Sequence, residues 1–410
     1  MSRNTRTKTT SLATSTIALA AATGLLATAA FAQDFNDAPP HGAEFDQTPA
    51  FEGQTRAPVI EGDLALTQTV IVDGLEHPWG LTELPDGAWL VTERPGRMRI
   101  VSAEGELSDP IEGLPEVDAR DQGGLHDVLV APDFAETRRV WWTYAEPRDE
   151  GKNATAIATG VLSEDGTTLE DVQRIWQQQP AWDSTKHFGA RMVFDGEGHL
   201  VVGLGERSDP EPREYAQDPQ STLGKVIRIN AEDGTPAGAG IDGALPEIWS
   251  MGHRNIQGGA VDADGNIWFN EHGPRGGDEL NLIQQGVNYG WPVVTYGVEY
   301  SGGEVNEGVT EQEGTEQPVY YWDPSPAISG MAFYEGEMFA DWQGDALIGG
   351  LQSQDLIRLT IEDGRVTGEA RHLQGIGRVR EVEVGSDGAL FLITDHENGA
   401  LIRVAPEDDA

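Results

Sequence analysis

Apolar and polar residues alternate in short runs along most of the chain, and each run follows a turn rich in glycine or acidic residues. Clear examples lie at 85–101, 195–207, 262–273 and 386–404, the first of which reads PDGAWLVTERPGRMRIV. Alternation with a period of two predicts β-strands with one buried face, and the turn residues mark the points where the chain reverses. Helical periodicity is sparse, so we predict an all-β fold.

Two weaker copies of this unit, at 131–146 and 342–359, bring the number of units to six. Repeated units of a few strands each are typical of a β-propeller. We therefore predict a six-bladed β-propeller over 61–410 with long loops on its top face, where loops commonly build binding sites. A pair of β-sandwiches is the alternative fold.

The N-terminus has the three parts of a secretory signal peptide. In 1–32, basic residues precede the apolar stretch IALAAATGLLATAAFA, which ends in the small-residue site Ala30-Phe31-Ala32. This order predicts cleavage near Ala32 and a periplasmic or secreted protein. An uncleaved membrane anchor is the alternative, although the stretch is short for a span. Residues 33–60 are polar and rich in Pro and Gly, and they predict a flexible lead-in.

The chain is strongly acidic, with a formal net charge of −42, and it contains no cysteine. Such a surface repels nucleic acids and anionic lipids, so both are excluded as partners. The lack of cysteine excludes disulfides, thiolate metal sites and a cysteine nucleophile. An acidic surface suits work at high salt, where counter-ions screen the repulsion between carboxylates, and we predict a halophilic protein.

Several polar residues lie in turns just before predicted blade strands, where side chains reach the mouth of a propeller. His187 precedes one of the clearest strands, and Arg254 and Asn255 place a guanidinium beside an amide. Arginine in such a position recognises carboxylates or oxyanions through paired hydrogen bonds. The alternatives are a structural histidine and a surface salt bridge.

An arginine pair and a glutamine are further candidates. Arg378 and Arg380 are two residues apart, so they face the same side of a strand. In so acidic a chain, the pair either sits among acids or receives an anion with several carboxylates, and the sequence leaves both open. Gln122 precedes a Gly-Gly turn that lets backbone approach a ligand closely. His126 and Asp127 on the next strand are predicted to be structural.

The segment NEHGPRGGDELNLIQQGVNYGWP, 270–292, combines glycine turns with Asp278 and Glu279. Such turns free carbonyl oxygens, and calcium binds six to eight oxygens from carboxylates, carbonyls and water. The spacing does not match an EF-hand loop. The segment is therefore a candidate calcium site, with a tight turn bearing solvated acids as the alternative.

Five longer segments together resemble the soluble glucose/sorbosone dehydrogenase family, and in particular the periplasmic aldose sugar dehydrogenases that use pyrroloquinoline quinone (PQQ). They read KHFGARMVFDGEGHLVVGLGE, EIWSMGHRNIQGGAV, NEHGPRGGDELNLIQQGVNYGWP, QPVYYWDPSPAISGMAFY and GRVREVEVGSDGALFLITD. The resemblance extends from His77 to Val404. It implies a six-bladed propeller that holds PQQ and calcium, oxidises an aldose sugar at C1 to the lactone, and passes electrons to a separate acceptor.

The resemblance also implies roles for individual residues. His187 would be the general base, and Arg254 would polarise the quinone. Binding of PQQ would involve Gln122, Arg254, Asn255, Trp322, Ser325, Ser329, Arg378 and Arg380. Calcium would be held at two places, by the carbonyls of Gly273 and Pro274 next to the cofactor and by Glu279 and the carbonyl of Tyr289 at a structural site.

Two positions depart from the glucose-specific members of the family. Gln352 lies near the place where those members have a lysine on the cofactor, so one cation would be missing. Lys186 stands where those members have an aspartate before the catalytic histidine. This difference bears on how the base is tuned.

Two other functions are compatible with a propeller. One is a calcium-stabilised module that binds a partner and catalyses nothing, since fold does not determine function. The other is a metal-dependent lactonase, which needs acids and asparagines around one calcium in the central channel. The joint presence of His187, Gln122, Arg254, Arg378 and Arg380 favours the dehydrogenase.

Overall fold

A computed structural model describes residues 38–60, 62, 64–238 and 240–407, and the predicted signal peptide lies outside this range. Within it, 23 strands form six antiparallel sheets. The sheets are the blades of a β-propeller, so the predicted all-β, six-bladed fold is confirmed. No helix in these described residues is long and apolar enough to cross a membrane.

Each blade is numbered from its inner strand outward. Blade 1 contains β2 (Pro78–Glu83), β3 (Trp89–Glu93) and β4 (Arg97–Val101); blade 2 contains β5 (Leu125–Val130), β6 (Arg139–Pro147), β7 (Asn153–Leu162) and β8 (Leu169–Gln177). Blade 3 contains β9 (Gly189–Phe194), β10 (His199–Leu204), β11 (Lys225–Asn230) and β12 (Ile248–Met251). Blade 4 contains β13 (Ile256–Val261), β14 (Ile267–Glu271), β15 (Asp278–Leu282) and β16 (Tyr320–Trp322). Blade 5 contains β17 (Ile328–Phe333), β18 (Ala346–Gly350), β19 (Leu356–Glu362) and β20 (Arg365–His372).

Blade 6 joins the two ends of the propeller. It contains β21 (Val379–Val384), β22 (Leu390–Thr394), β23 (Gly399–Pro406) and, as its outer strand, β1 (Leu66–Leu75). β1 pairs antiparallel with β23, from Leu66 opposite Pro406 to Leu75 opposite Gly399. Backbone hydrogen bonds therefore close the ring. The helices are short: Phe134–Thr137 and Pro210–Glu214 are α-helical, and His41–Phe45, Asp149–Gly151, Tyr215–Gln217 and Ala340–Trp342 are 3-10 turns.

Each of the six sequence units falls in a different blade and includes the second strand of that blade. For example, 195–207 contains β10 and 262–273 contains β14. The inner strands did not stand out in the sequence because both of their faces are covered; β2, for instance, begins with four buried residues. Strands buried on two faces lose the alternation that marks a half-buried strand.

Residues 38–60 lie along the outer edges of blades 4 and 5. Tyr321 N donates to Gln54 O at 2.9 Å, and Gln54 Nε2 donates to Pro318 O at 3.0 Å. Further along, Ile60 N donates to Glu369 O at 2.9 Å. The described part of the predicted lead-in thus makes backbone hydrogen bonds with the blades.

Candidate active site

A cavity of about 670 Å³ opens on one face of the propeller, close to the axis. All six blades contribute to its wall, in order through Trp79, His126, Gly189, Gln257, Leu351 and Arg380. Ligand sites typically measure about 300–1,000 Å³ and combine apolar walls with a few convergent polar groups. The cavity is therefore the candidate site.

His187 lies at the edge of this cavity, next in sequence to Phe188, which lines it. The side chain of His187 is buried, and its Nδ1 lies 3.2 Å from Oε1 of the fully buried Glu206. Burial lowers the pKa of His187, and the Glu206 carboxylate opposes this shift. The pair favours a neutral imidazole with its proton on Nδ1, because Glu206 accepts that proton in a hydrogen bond. The ring's hydrogen bond uses Nδ1, and Nε2 makes none with the described residues, so it is free to accept a proton.

Glu206 is ionised although it is buried. Burial by itself would raise the pKa of Glu206, but His187, Arg254 and the backbone N–H of Ser208 together lower it. A carboxylate in this position orients the imidazole and stabilises its protonated form. Lys186, by contrast, is exposed, so the acid that tunes His187 comes from Glu206 in the next strand connection.

Close backbone packing explains how the loop before β9 presents His187. A Cβ on Gly205 would lie 2.0 Å from the carbonyl oxygen of His187, so only glycine fits there. Arg207 N donates to the same carbonyl at 3.3 Å, and His187 itself has φ of 48°. This left-handed conformation is uncommon for a residue with a side chain, and such conformations concentrate at functional sites.

Gln122 and Asn255 flank this loop and both line the cavity. Gln122 Oε1 accepts a hydrogen bond from the backbone N–H of His187 at 2.9 Å. Asn255 Oδ1 accepts one from Gly189 N at 3.2 Å. The structure therefore brings these three predicted residues together from loops of blades 2, 3 and 4.

The arginine pair lies on the opposite wall, where it meets a carboxylate that the sequence did not single out. Arg378 Nη2 and Arg380 Nη2 each lie 3.3 Å from Asp395 Oδ2, and His77 Nδ1 lies 2.8 Å from Asp395 Oδ1. Burial alone would raise the pKa of Asp395, but Arg380, Arg94 and their neighbours hold it well below its usual range. Asp395 is thus a charged anchor for the arginines.

Ser329 forms hydrogen bonds with Arg380 from outside the cavity. Its hydroxyl donates to Arg380 O at 2.8 Å, and Arg380 Nη1 lies 3.2 Å from the same hydroxyl oxygen. Gln257 Oε1 accepts a further bond from Arg380 Nη1 at 2.8 Å. Burial lowers the pKa of Arg380 to about 10. Ser329 therefore positions a cavity arginine and does not itself line the cavity.

Arg254 lies at the cavity edge beside Asn255. It is buried, its Nη1 donates to His272 O at 2.9 Å, and its guanidinium lies 5.1 Å from the ring centre of Trp291. The charge of Arg254 acts on both His187 and Glu206, lowering the pKa of each. Arg254 is therefore close enough to the base to stabilise a developing negative charge there.

The loop after β14 holds two buried residues whose carbonyls accept no hydrogen bond within the described part of the chain, Gly273 and Pro274. Asp278 organises this loop: its Oδ1 accepts from Gly273 N at 3.0 Å and its Oδ2 from Ser325 Oγ at 2.6 Å. Burial raises the pKa of Asp278 to about 6. The free carbonyls are available as ligands for a hard cation.

A second group of oxygens surrounds Glu279. Glu279 lies directly opposite Glu271 in the pairing of β14 with β15, and burial together with Glu271 raises the pKa of Glu279 well above its usual value. Asn281 Oδ1 is buried without a hydrogen-bond partner, and the carbonyl of Tyr289 accepts none from the described residues. Like charges opposite each other are unfavourable unless a cation lies between them. The donor set is entirely oxygen, which fits calcium.

Besides Ser329, two residues predicted to bind PQQ, Trp322 and Ser325, do not line the cavity. Trp322 ends the outer strand of blade 4, and its Nε1 donates to Glu369 Oε2 at 3.2 Å, so we reassign Trp322 to packing between blades 4 and 5. Ser325 is bonded to Asp278, as described above, and acts on the loop. Gln352 is exposed and does not line the cavity, whereas its neighbour Leu351 does.

The sequence did not single out Glu206, Asp395, Arg94 or Asn281. Glu206 and Asp395 both follow the second strand of a blade, directly after a run of buried residues. A single acidic residue at the end of such a buried run is the sequence signal that could have pointed to Glu206 and Asp395. Asn281 is two residues after Glu279 on one strand, so both face the same side.

Similarity to known proteins shows which family this chain belongs to. A model described as Glucose / Sorbosone dehydrogenase matches residues 75–403. The chain belongs to the glucose/sorbosone dehydrogenase family. The aldose sugar dehydrogenase YliI of Escherichia coli is 44% identical over 346 residues, which cover 83% of this chain and 92% of that protein.

Solved structures agree with this membership of the glucose/sorbosone dehydrogenase family. The apo-form structure of the soluble aldose sugar dehydrogenase from Escherichia coli has a TM-score of 0.80 at 44% identity, and the match covers 84% of this chain and 100% of that chain. The PQQ-bound aldose sugar dehydrogenase from Streptomyces coelicolor has a TM-score of 0.68 at 27% identity, covering 83% and 99%. The resemblance and the oxidoreductase class predicted from the sequence are confirmed.

Proposed function

We propose that this protein is a PQQ- and calcium-dependent dehydrogenase that oxidises aldose sugars at C1 to the lactone. The observation that carries the proposal is the pairing of a buried His187 with Glu206 at the edge of a cavity whose far wall carries arginines. We also propose that residues 1–32 direct the chain to the periplasm or the exterior and are removed.

The cavity fits PQQ, which carries three carboxylates on a planar ring system. Arg378 and Arg380 would hold carboxylates, since arginine forms paired, charge-assisted hydrogen bonds with them. The Nε atoms of Arg254 and Arg380 are buried and have no hydrogen-bond partner among the described residues, so each can donate to a bound acceptor. Gln122 and Asn255 would lie against the ring. When bound, PQQ would supply the redox chemistry by accepting the hydride from the sugar.

Two calcium positions are proposed on the same grounds. The carbonyls of Gly273 and Pro274 would hold one ion beside the cofactor. Glu279, Asn281 and the carbonyl of Tyr289 would hold the other, which would relieve the repulsion between Glu279 and Glu271. The second ion would lock β15 and the following loop in place.

The chain's own residues account for the proton transfer. His187 Nε2 would accept the proton of the C1 hydroxyl, while the Nδ1–H bond to Glu206 keeps the tautomer and stabilises the imidazolium that forms. Arg254 would stabilise negative charge that develops close to the base. Phe188 and Trp79 would limit the access of water to the reacting atoms.

The central channel favours this function over a lactonase. Two acids on the inner strands, Asp127 and Glu381, both form ion pairs with Arg191, at 3.0 Å from Nη1 in the case of Asp127. An arginine therefore occupies the place where a lactonase would need an open calcium site.

The test is to add PQQ and calcium to the purified protein at high salt and to follow dye reduction with glucose and other aldoses. We expect reduction that depends on sugar and stops when a calcium chelator is added. If PQQ shows no spectral change on mixing and no dye is reduced, the dehydrogenase assignment fails and the non-catalytic propeller replaces it.

Exchanging Glu206 for glutamine is expected to change the pH profile. The base must be neutral, so activity falls as the pH drops through the pKa of His187. Without the carboxylate this pKa decreases, and the acid limb of kcat/KM should move to lower pH. The weaker, less well-oriented base should also reduce the plateau rate about 10- to 100-fold. Steady-state rates across the pH range provide the measurement.

Glu211→Gln is the matched control, because Glu211 is exposed in the neighbouring short helix and the substitution removes the same charge. Its pH profile should equal that of the unaltered protein. An acid limb that stays in place in Glu206→Gln would show that Glu206 has only a structural role.

A further inference from the structure

Asp395 is shared by three arginines, one of which comes from a different blade. Arg378 and Arg380 belong to blade 6, whereas Arg94 lies in the turn between β3 and β4 of blade 1, with Nη2 3.7 Å from Asp395 Oδ1. Three guanidinium groups and one carboxylate leave two positive charges (3 − 1). A protein with a net charge of −42 thus concentrates cations at this wall of the cavity.

The other titratable groups at the cavity do not cancel this charge. Asp121 and Glu397 also border the cavity, but both are exposed, where water and salt screen them. Burial lowers the pKa of His126 and of His272 to about 3, so both are neutral. Arg94 and Arg380 are the less exposed cations of this wall, and their charge suits a bound anion.

The backbone holds Arg94 firmly at the cavity wall. Arg94 N donates to His77 O at 3.1 Å, and Leu125 N donates to Arg94 O at 3.1 Å. A Cβ on Gly124, which has φ of 125°, would lie 1.9 Å from Arg94 O, so the two turns touch directly. The turn that carries Arg94 is thus packed against the same Gly-Gly turn that presents Gln122.

The side chain of Arg94 is only partly satisfied. Its Nη1 donates to Asp121 O at 2.6 Å, but its Nε is buried without a hydrogen-bond partner among the described residues. A buried, unpaired donor on a charged group is costly unless an acceptor is bound. Arg94 lines the cavity, so a bound anion would meet this need.

We propose that Arg94 is a third cationic ligand for the carboxylates of PQQ, held in place by Asp395 and acting together with Arg378 and Arg380. The proposal rests on the proposed function. Arg94, which lies in blade 1, would also supply the positive charge that is missing at the exposed Gln352.

The test is a PQQ titration of the full-length protein with calcium present, followed by quenching of tryptophan fluorescence. Arg94→Gln is expected to raise the Kd for PQQ about 10- to 100-fold, because one charge-assisted contact is lost. The loss should be smaller at high salt than at low salt. The Kd for PQQ is the value that decides, and it is measured without reference to turnover.

Arg99→Gln is the control, because it removes the same charge from the same blade and its guanidinium binds Ser108 O outside the cavity. Arg94→Lys keeps the charge but loses the planar fork, and it should raise the Kd about 3- to 10-fold. If Arg94→Gln does not fold, the Kd of Arg94→Lys for PQQ tests the proposed role of Arg94.

The outcomes separate the two proposals. If the unaltered protein binds PQQ and both Arg94 variants bind it equally well, the role of Arg94 is overturned and the proposed function stands. If the unaltered protein does not bind PQQ, both proposals fall together.

Discussion

Replacement of His187 by alanine is expected to lower kcat for sugar oxidation by about 10² to 10⁴-fold while PQQ still binds. The His187 imidazole has an orienting carboxylate, Glu206, on Nδ1, and its Nε2 makes no hydrogen bond with the described residues. Without it, we expect the proposed transfer of the C1 hydroxyl proton to lack its base. The proposed cofactor contacts lie on other residues, so the Kd for PQQ should change little. Dye reduction and a PQQ titration measure the two effects separately.

His199→Ala is the matched control for this variant. His199 lies in the same blade and pairs with Asp195 at 2.9 Å, outside the cavity. We expect near-normal turnover from it. If His187→Ala also keeps near-normal rates, the assignment of His187 as the base is wrong.

Simultaneous replacement of Arg378 and Arg380 by alanine is expected to raise the Kd for PQQ by about 10²- to 10⁴-fold. Each arginine would contribute a charge-assisted contact with a carboxylate, and each such contact is worth about 10- to 100-fold in affinity. The KM for the sugar, measured at PQQ concentrations that restore activity, should change much less. Fluorescence titration and steady-state kinetics provide the two values.

The double variant Arg139→Ala with Arg403→Ala removes the same charge from the exterior of blades 2 and 6, so it isolates local contacts from net charge. Circular dichroism checks that the arginine-depleted cavity still folds, since Asp395 loses two of its partners. A PQQ titration that is unchanged by the loss of Arg378 and Arg380 would reject the carboxylate-binding role.

The candidate site was partly visible in the sequence. His187, Gln122, Arg254, Asn255 and the arginine pair lie in turns or strand starts of the repeating unit, and the structure gathers all of them around one cavity. Position within the repeat was informative because each blade presents the start of its inner strand at the same end of the propeller.

Trp322 shows where this reasoning fails. Trp322 ends the outer strand of blade 4, and the inner strand of blade 5 begins at Ile328. The five residues 323–327 carry the backbone from the rim of one blade to the centre of the next. Proximity in sequence therefore did not mean proximity to the cavity.

Local periodicity determined the fold class. Alternation of apolar residues and glycine turns acts over a few neighbours, so six units, an all-β architecture and an acidic exterior could be read from the sequence alone. The hydrogen-bond and ion-pair partners of each functional group could not be read from the sequence. Glu206 reaches His187 across 19 residues, and Arg94 and Asp395 meet because closure of the ring puts blade 1 beside blade 6. Those contacts depend on how the blades are arranged around the axis, and only the tertiary structure decides that arrangement.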